Sequence, residues 1–126
     1  MKKDIEERSD IEKLVNSFYD KVREDNTIGH IFNDVAKVDW PHHLPIMYNF
    51  WEMVLFGKGP YKGDPMTKHI QLNQKVILDS THFDRWKELF FETIDEHFIG
   101  DKANEAKLRA TNIASLMLYR VKQSVQ

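Results

Sequence analysis

Histidine is the residue type through which this chain could bind a metal or a metal-containing cofactor. The chain has six histidines and no cysteine, which excludes disulfides, thiolate zinc sites, iron–sulfur clusters and thioether-linked cofactors. Histidine is the commonest nitrogen ligand for metals. His69 is the strongest candidate, because Asp64 and Pro65 before it are typical of a helix start and a glycine-rich loop precedes them.

The neighbouring histidines His42 and His43 are predicted to face opposite ways. Around them, apolar residues recur at helical spacing and define a stripe formed by Trp40, Leu44, Met47, Phe50, Trp51 and Val54. At about 100° per residue, His43 lies roughly 40° from the centre of this stripe at Met47, whereas His42 lies roughly 140° away. We therefore expect His43 to point towards the core and His42 towards solvent.

Two further hydrogen-bond donors fall on apolar stripes of other predicted helices. Tyr19 lies on the flank of the stripe in the first helix, and Trp86 lies near the centre of the stripe in a later one. A buried hydroxyl or indole N–H needs an acceptor. Each residue taken alone is more often a satisfied core residue, but with His43 and His69 they indicate a pocket into which several donors point.

The elements that position these residues are predicted to be helical, because apolar residues recur with a helical period along nearly the whole chain. Ser9 and Glu12 have the spacing of a capping box, and Asp39 and Asp79 have the place of helix N-caps. No segment shows the alternation of a strand. The predicted class is all-α, one domain over residues 1–126, with long helices from 9 to about 23, 39 to 57, 79 to 100 and 101 to near the C-terminus.

Composition excludes several classes of partner. The net charge is −2, and the 18 basic and 20 acidic residues are mixed along the chain, so no basic stripe indicates a nucleic-acid or anionic membrane surface. No apolar run has the length of a membrane span or the place of a signal peptide, so we expect a cytoplasmic protein. Aromatic residues make up 12% of the chain, and they either fill the core or wall a slot for a flat apolar ligand.

A series of motifs, taken in order, resembles the group III truncated haemoglobins over nearly the whole chain. Any one motif is weak, but their order and spacing together are specific, and the chain lacks the paired-glycine turns of groups I and II. The motifs are F-Y at Phe18–Tyr19, I-G-H-I-F at Ile28–Phe32, D-W-P-H-H-L at Asp39–Leu44, N-F-W at Asn49–Trp51, Y-K-G-D-P-M-T-K-H at Tyr61–His69, H-F-D-R-W-K-E-L-F at His82–Phe90 and A-x-x-I-A at Ala110–Ala114.

The resemblance implies a shortened globin fold in which two pairs of antiparallel helices sandwich a non-covalent haem b. By position, His69 resembles the proximal iron ligand. Tyr19, His43 and Trp86 resemble the distal residues around a bound gas. The remaining residues implied to contact the haem are Phe32 on its face, Met47 and Trp51 in the distal pocket, Leu72 on the short helix of His69, and Lys68 and Arg85 at the propionates. We assign His30, His82 and His97 to structure, with His82 as a capping or surface residue.

Three classes of function remain open at this point. The resemblance implies a haem protein that reversibly binds O₂, CO and NO, as an oxygen-binding protein or carrier. The alternative is a haem enzyme that removes nitric oxide or acts on peroxides, and since the chain has no flavin or nicotinamide domain, such an enzyme needs a separate reductase. A helical interaction module or a non-haem metal module is the third class.

Overall fold

Four long helices dominate the computed structural model, which describes residues 2–58 and 78–124. Helix α1 packs against α2 and α3, and α4 packs against α3 and α2. Within the described residues, the β-bridge between Lys3 and Phe98 is isolated and builds no sheet. The all-α prediction is therefore confirmed. The elements are α1 (Arg8–Glu24), a π-helical turn (Ile31–Val35), α2 (Trp40–Phe56), α3 (Ser80–His97) and α4 (Asp101–Ser124).

Helix α1 begins at Arg8, and the capping box predicted for Ser9 and Glu12 is wrong. Glu7 is the N-cap, and the Asp10 carboxylate reaches back to accept a hydrogen bond from the Glu7 backbone N–H at 3.1 Å. Ser9 lies inside the first turn, and its hydroxyl donates to the Glu7 carboxylate. Glu12 pairs with Arg8 instead. Two acidic residues thus provide the reciprocal cap, which also suits the positive end of the helix dipole.

Helix α2 follows Asp39 as predicted and ends where Gly57 adopts a left-handed conformation. The φ angle of Gly57 is 69°, a region that side chains with a Cβ rarely enter. Lys102 from α4 donates through Nζ to the backbone carbonyl of Leu55 at 2.7 Å, which satisfies one of the carbonyls that the helix end leaves open. The last turn of α2 is therefore fixed to α4.

Helix α3 begins at Ser80 with the capping predicted for Asp79. The Asp79 carboxylate accepts from the backbone N–H of Thr81 at 2.9 Å, and the Asp79 N–H donates to Nδ1 of His82 at 3.1 Å. The assignment of His82 as a capping residue is confirmed. Because Nδ1 accepts a hydrogen bond, a neutral His82 carries its proton on Nε2.

The core between the helices combines large side chains from α1 and α3 with small ones from α4. Phe18 and Phe90 are fully buried, and α4 contributes four buried alanines at a spacing of three or four residues: Ala103, Ala106, Ala110 and Ala114. The bulk of the interior therefore comes from aromatic rings.

Within residues 2–58 and 78–124, no helix combines the length and the apolar character that crossing a membrane requires.

Asp25, just after α1, forms a partly buried ion pair with α3. Its carboxylate accepts from Arg85 Nε at 2.7 Å and from the backbone N–H groups of Thr27 and Ile28 at 2.9 and 3.1 Å. Burial opposes the charge, since the Asp25 side chain is only 5% exposed, but these hydrogen bonds offset it and lower the pKa of Asp25 below its ordinary value.

Replacing Asp25 with Asn is expected to lower the free energy of unfolding by about 1–3 kcal/mol, because Arg85 loses its charged partner. Because its pKa is lowered, Asp25 binds fewer protons in the folded chain than in the unfolded chain. Its contribution to the free energy of unfolding is therefore full above about pH 4 and is lost as the pH falls further. Urea denaturation at pH 7 and at pH 3 measures both effects. The control is Asp20→Asn, an exposed carboxylate that pairs with Arg23. Equal stability of the Asp25 variant and the parent at pH 7 contradicts the prediction.

Candidate functional site

A cavity of about 280 Å³ between the four helices is the candidate site. Its lining is mostly apolar and includes Phe32, Met47 and Trp51, three residues expected around a haem. Each of the four helices contributes side chains, and those with a hydrogen-bonding group are Tyr19, His43, Trp51, His82 and Trp86. The cavity thus joins an aromatic wall to a few polar groups, as ligand sites commonly do.

Tyr19 brings a buried hydroxyl to this cavity. The residue is 5% exposed, and its ring contacts those of Phe18, Phe32 and His43 at centroid distances of 4.8, 6.1 and 5.5 Å. Burial raises the pKa of the Tyr19 phenol, so it keeps its proton at neutral pH. Within the part of the chain that the structure describes, no group hydrogen-bonds to the hydroxyl. A buried donor without an internal partner suits an acceptor supplied by a ligand.

The two adjacent histidines are separated by the helix as the projection predicts. His43 lines the cavity, and its ring meets that of Tyr19 edge-on, at an interplanar angle of 80°. His42 is exposed. Of the two histidines, His43 is therefore the one placed to contact a molecule in the cavity.

Stacked aromatic rings fix the orientation of Trp86. Its indole lies parallel to the ring of Phe90 at 5.6 Å, and Phe90 in turn stacks on Trp51 at 4.8 Å. The edge of Phe18 meets Trp86 at 5.6 Å and an angle of 86°. Such offset and edge-to-face arrangements are the favoured ones for aromatic pairs. The donor edge of Trp86 is thus held in place by packing.

His82 also lines the cavity, which the sequence analysis missed. It was assigned to capping, and the structure gives it both roles. The signal that predicts its position at the cavity is its spacing from Trp86. The two residues are four apart in one helix, so their side chains lie on the same face. A residue one turn from a cavity-lining tryptophan is expected near the same cavity.

Arg85 is engaged by carboxylates in the structure. Its Nε donates to Asp25, and one terminal nitrogen donates to Glu88 at 3.0 Å. It is not among the residues that line the cavity. Its predicted contact with a haem propionate stays a prediction. The other residues predicted at the proximal side, His69, Lys68 and Leu72, lie outside the described residues.

Comparison with known proteins identifies a matching family and close relatives. Residues 4–118 match the family described as bacterial-like globin. The chain is 34% identical over 126 residues to a group 3 truncated haemoglobin of Campylobacter jejuni, and the alignment covers 95% of this chain and 97% of that protein. The crystal structure of a group III truncated haemoglobin from Campylobacter jejuni matches with a TM-score of 0.83 at 32% identity, over 96% of this chain and 95% of the other. The predicted fold is confirmed by this match.

Proposed function

Because this chain belongs to the bacterial-like globin family, whose members bind ligands through haem, we propose that it is a haem protein that reversibly binds O₂, CO and NO. It holds haem b without a covalent bond, since it has no cysteine for thioether links. It acts as one globin domain in the cytoplasm. Its role is oxygen binding or transport.

The observation that carries this proposal is the Tyr19 hydroxyl, buried at an apolar cavity and without a hydrogen-bond partner among the described residues. A hydroxyl that opens to an apolar cavity needs an acceptor within that cavity. Phenylalanine would fill nearly the same volume without this need. A small polar ligand beside Tyr19 accounts for the hydroxyl, because it supplies the missing acceptor.

The residues of the cavity fit a haem. Flat aromatic and aliphatic side chains suit the faces of a macrocycle, and we assign Phe32, Met47 and Trp51 to those contacts. When bound, haem would supply an iron atom that accepts a ligand from the protein and can bind a diatomic gas. We assign that protein ligand to His69. Further contacts are assigned to Leu72 beside His69, and to Lys68 and Arg85 at the propionates.

Tyr19 and Trp86 would hold the gas by hydrogen bonding. The Tyr19 hydroxyl and the Trp86 indole N–H are donors that would stabilise a partly negative diatomic ligand. A hydrogen bond to such an acceptor contributes about 1.5–3 kcal/mol. At about 1.4 kcal/mol per decade, this slows ligand escape roughly ten- to a hundredfold. His43 is the third polar neighbour of the ligand and the side chain that gates its entry.

An absorption spectrum of the purified protein tests the proposal. The protein is expressed with adequate haem, reduced, and then exposed separately to O₂, CO and NO. A haem spectrum that shifts with each gas, and returns when the gas is removed, is the expected result. A colourless protein contradicts the proposal and favours a helical interaction module or a non-haem metal module.

The polar side of the cavity also supports a second candidate, an enzyme that removes nitric oxide or acts on peroxides. The same donors, Tyr19 and Trp86, would also stabilise the negative charge that develops when an O–O bond is cleaved. Continuous turnover needs electrons, so this function requires a separate reductase. Nitric oxide consumption by the oxygenated protein is measured with and without a reductase. Multiple turnovers with the reductase favour the enzyme, and a single turnover in both cases favours oxygen binding.

Replacing His43 with Ala is expected to raise the rate of CO association roughly tenfold, by removing a side chain that lies in the path of the gas; such a change corresponds to about 1.4 kcal/mol. Replacing His42 with Ala is the matched control. It changes the neighbouring residue on the exposed side of the same helix, so CO association should stay at the parent rate. Flash photolysis measures both. The reverse pattern contradicts the assignment of His43 to the distal pocket.

A further inference from the structure

Trp40 is not among the residues that line the cavity, yet its ring touches three rings that do. The centroid distances are 5.2 Å to Tyr19, 5.7 Å to His43 and 6.1 Å to Phe32. Trp40 is the first residue of α2, whereas Tyr19 belongs to α1. The indole therefore lies behind the polar side of the cavity, between the two helices that supply Tyr19 and His43.

Arg23 covers this tryptophan. The Cζ atom of its guanidinium lies 4.6 Å from the centroid of the Trp40 ring, which is within cation–π range. A terminal nitrogen of Arg23 pairs with Asp20 at 3.4 Å, and the Arg23 backbone carbonyl accepts from the Asn33 side chain at 3.0 Å. The guanidinium thus lies over Trp40 at the end of α1, and the cation–π contact favours this position of the indole.

We infer that Trp40, held by Arg23, is a positioning residue that keeps His43 turned towards Tyr19 and thereby sets how readily the distal pocket opens. The inference rests on the proposed function, because it takes Tyr19 and His43 as the polar side of a gas-binding pocket. His43 meets both Trp40 and Tyr19 edge to face, each at an interplanar angle of 80° for the imidazole. Rotation of His43 away from the cavity breaks both contacts. His42, the preceding residue, is exposed and takes no part in these contacts.

The test is CO association to the haem-loaded protein, measured by flash photolysis. We expect Trp40→Leu to raise the rate roughly two- to tenfold, because an aromatic contact that holds His43 is lost. Trp40→Phe keeps a ring and should restore most of the parent rate. Arg23→Met should act in the same direction by roughly two- to fivefold, and Arg23→Lys, which keeps a cation, should act less. Tyr119→Leu, an exposed aromatic residue far along α4, is the matched control.

A double-mutant cycle with His43→Ala separates positioning from a general loss of structure. If Trp40 acts through His43, then Trp40→Leu has no effect on CO association once the imidazole is gone. The same rise in both backgrounds overturns the inference, as does a Trp40→Leu rate equal to that of the parent. Nuclear Overhauser contacts between the His43 and Tyr19 rings give a second readout, which should weaken in Trp40→Leu. Unchanged contacts also overturn the inference.

The outcomes distinguish this inference from the proposed function. A chain that takes up no haem contradicts the proposed function itself. If Tyr19→Phe and His43→Ala alter the ligand kinetics while the Trp40 and Arg23 variants do not, the proposed function stands and the positioning role fails. If Trp40→Leu does not fold, Arg23→Met still decides the question, because a parent rate in that variant contradicts the role of this contact.

Discussion

Replacing His69 with Gly is expected to abolish stable haem binding. In the sequence, His69 follows Asp64–Pro65, a pair that predicts a helix start, and by position it resembles the proximal ligand of the group III truncated haemoglobins. If His69 is the iron ligand, its loss should speed haem loss roughly a hundredfold or more, which corresponds to about 2.8 kcal/mol. The measurement is transfer of haem to an excess of an apo-globin acceptor. Added imidazole should restore the spectrum, because it can enter the space of the removed ring and bind the iron.

The control for this experiment is His30→Gly, since His30 is exposed and is not among the residues that line the cavity. Its haem loss should equal that of the parent. An unchanged ferrous spectrum and unchanged haem retention in the His69 variant would show that another residue is the axial ligand. The His43 variant then becomes the next one to test, because His43 is the histidine that the same helical projection turns inward.

Residues whose roles depend on local periodicity could be predicted from the sequence. The different faces of His42 and His43 follow from a helix of regular pitch, and the structure places them accordingly. The starts of α2 and α3 follow from Asp39 and Asp79, whose place before an apolar helical stripe is a local signal. Periodicity predicted an aromatic pocket with inward donors. The family motifs, and not the spacing, suggested haem.

Residues whose roles depend on distant partners could not be predicted in this way. The ion pair between Arg85 and Asp25 joins residues sixty positions apart, and no local pattern in the sequence relates them. The capping box at Ser9 and Glu12 competed with a second one two residues upstream, and the choice rests on how the N-terminal segment packs. The place of His82 at the start of α3 already predicts a capping role, and this local role does not by itself indicate its position at the cavity.

Replacing Tyr19 or Trp86 with Phe is expected to change the rate of O₂ dissociation roughly ten- to a hundredfold, the effect of losing one hydrogen bond to a partly charged ligand. A rise means that the removed group held the ligand directly. A fall means that its loss lets the other donor align better. CO should respond less, because it carries less charge when bound. Both Tyr19 and Trp86 pack against Phe18, so they lie on one side of the cavity and the double variant should be non-additive.

The stability of Tyr19→Phe separates a ligand-binding residue from a core residue. The described part of the chain gives the Tyr19 hydroxyl no hydrogen bond, so its removal breaks none, and the free energy of unfolding of the haem-free chain should stay the same or rise. Tyr48→Phe is the matched control, because the Tyr48 hydroxyl donates to Asn16 away from the cavity. Loss of the Tyr48 hydroxyl should leave the rate of O₂ dissociation unchanged. If both cavity variants release O₂ at the parent rate and only their stability changes, Tyr19 and Trp86 serve packing alone.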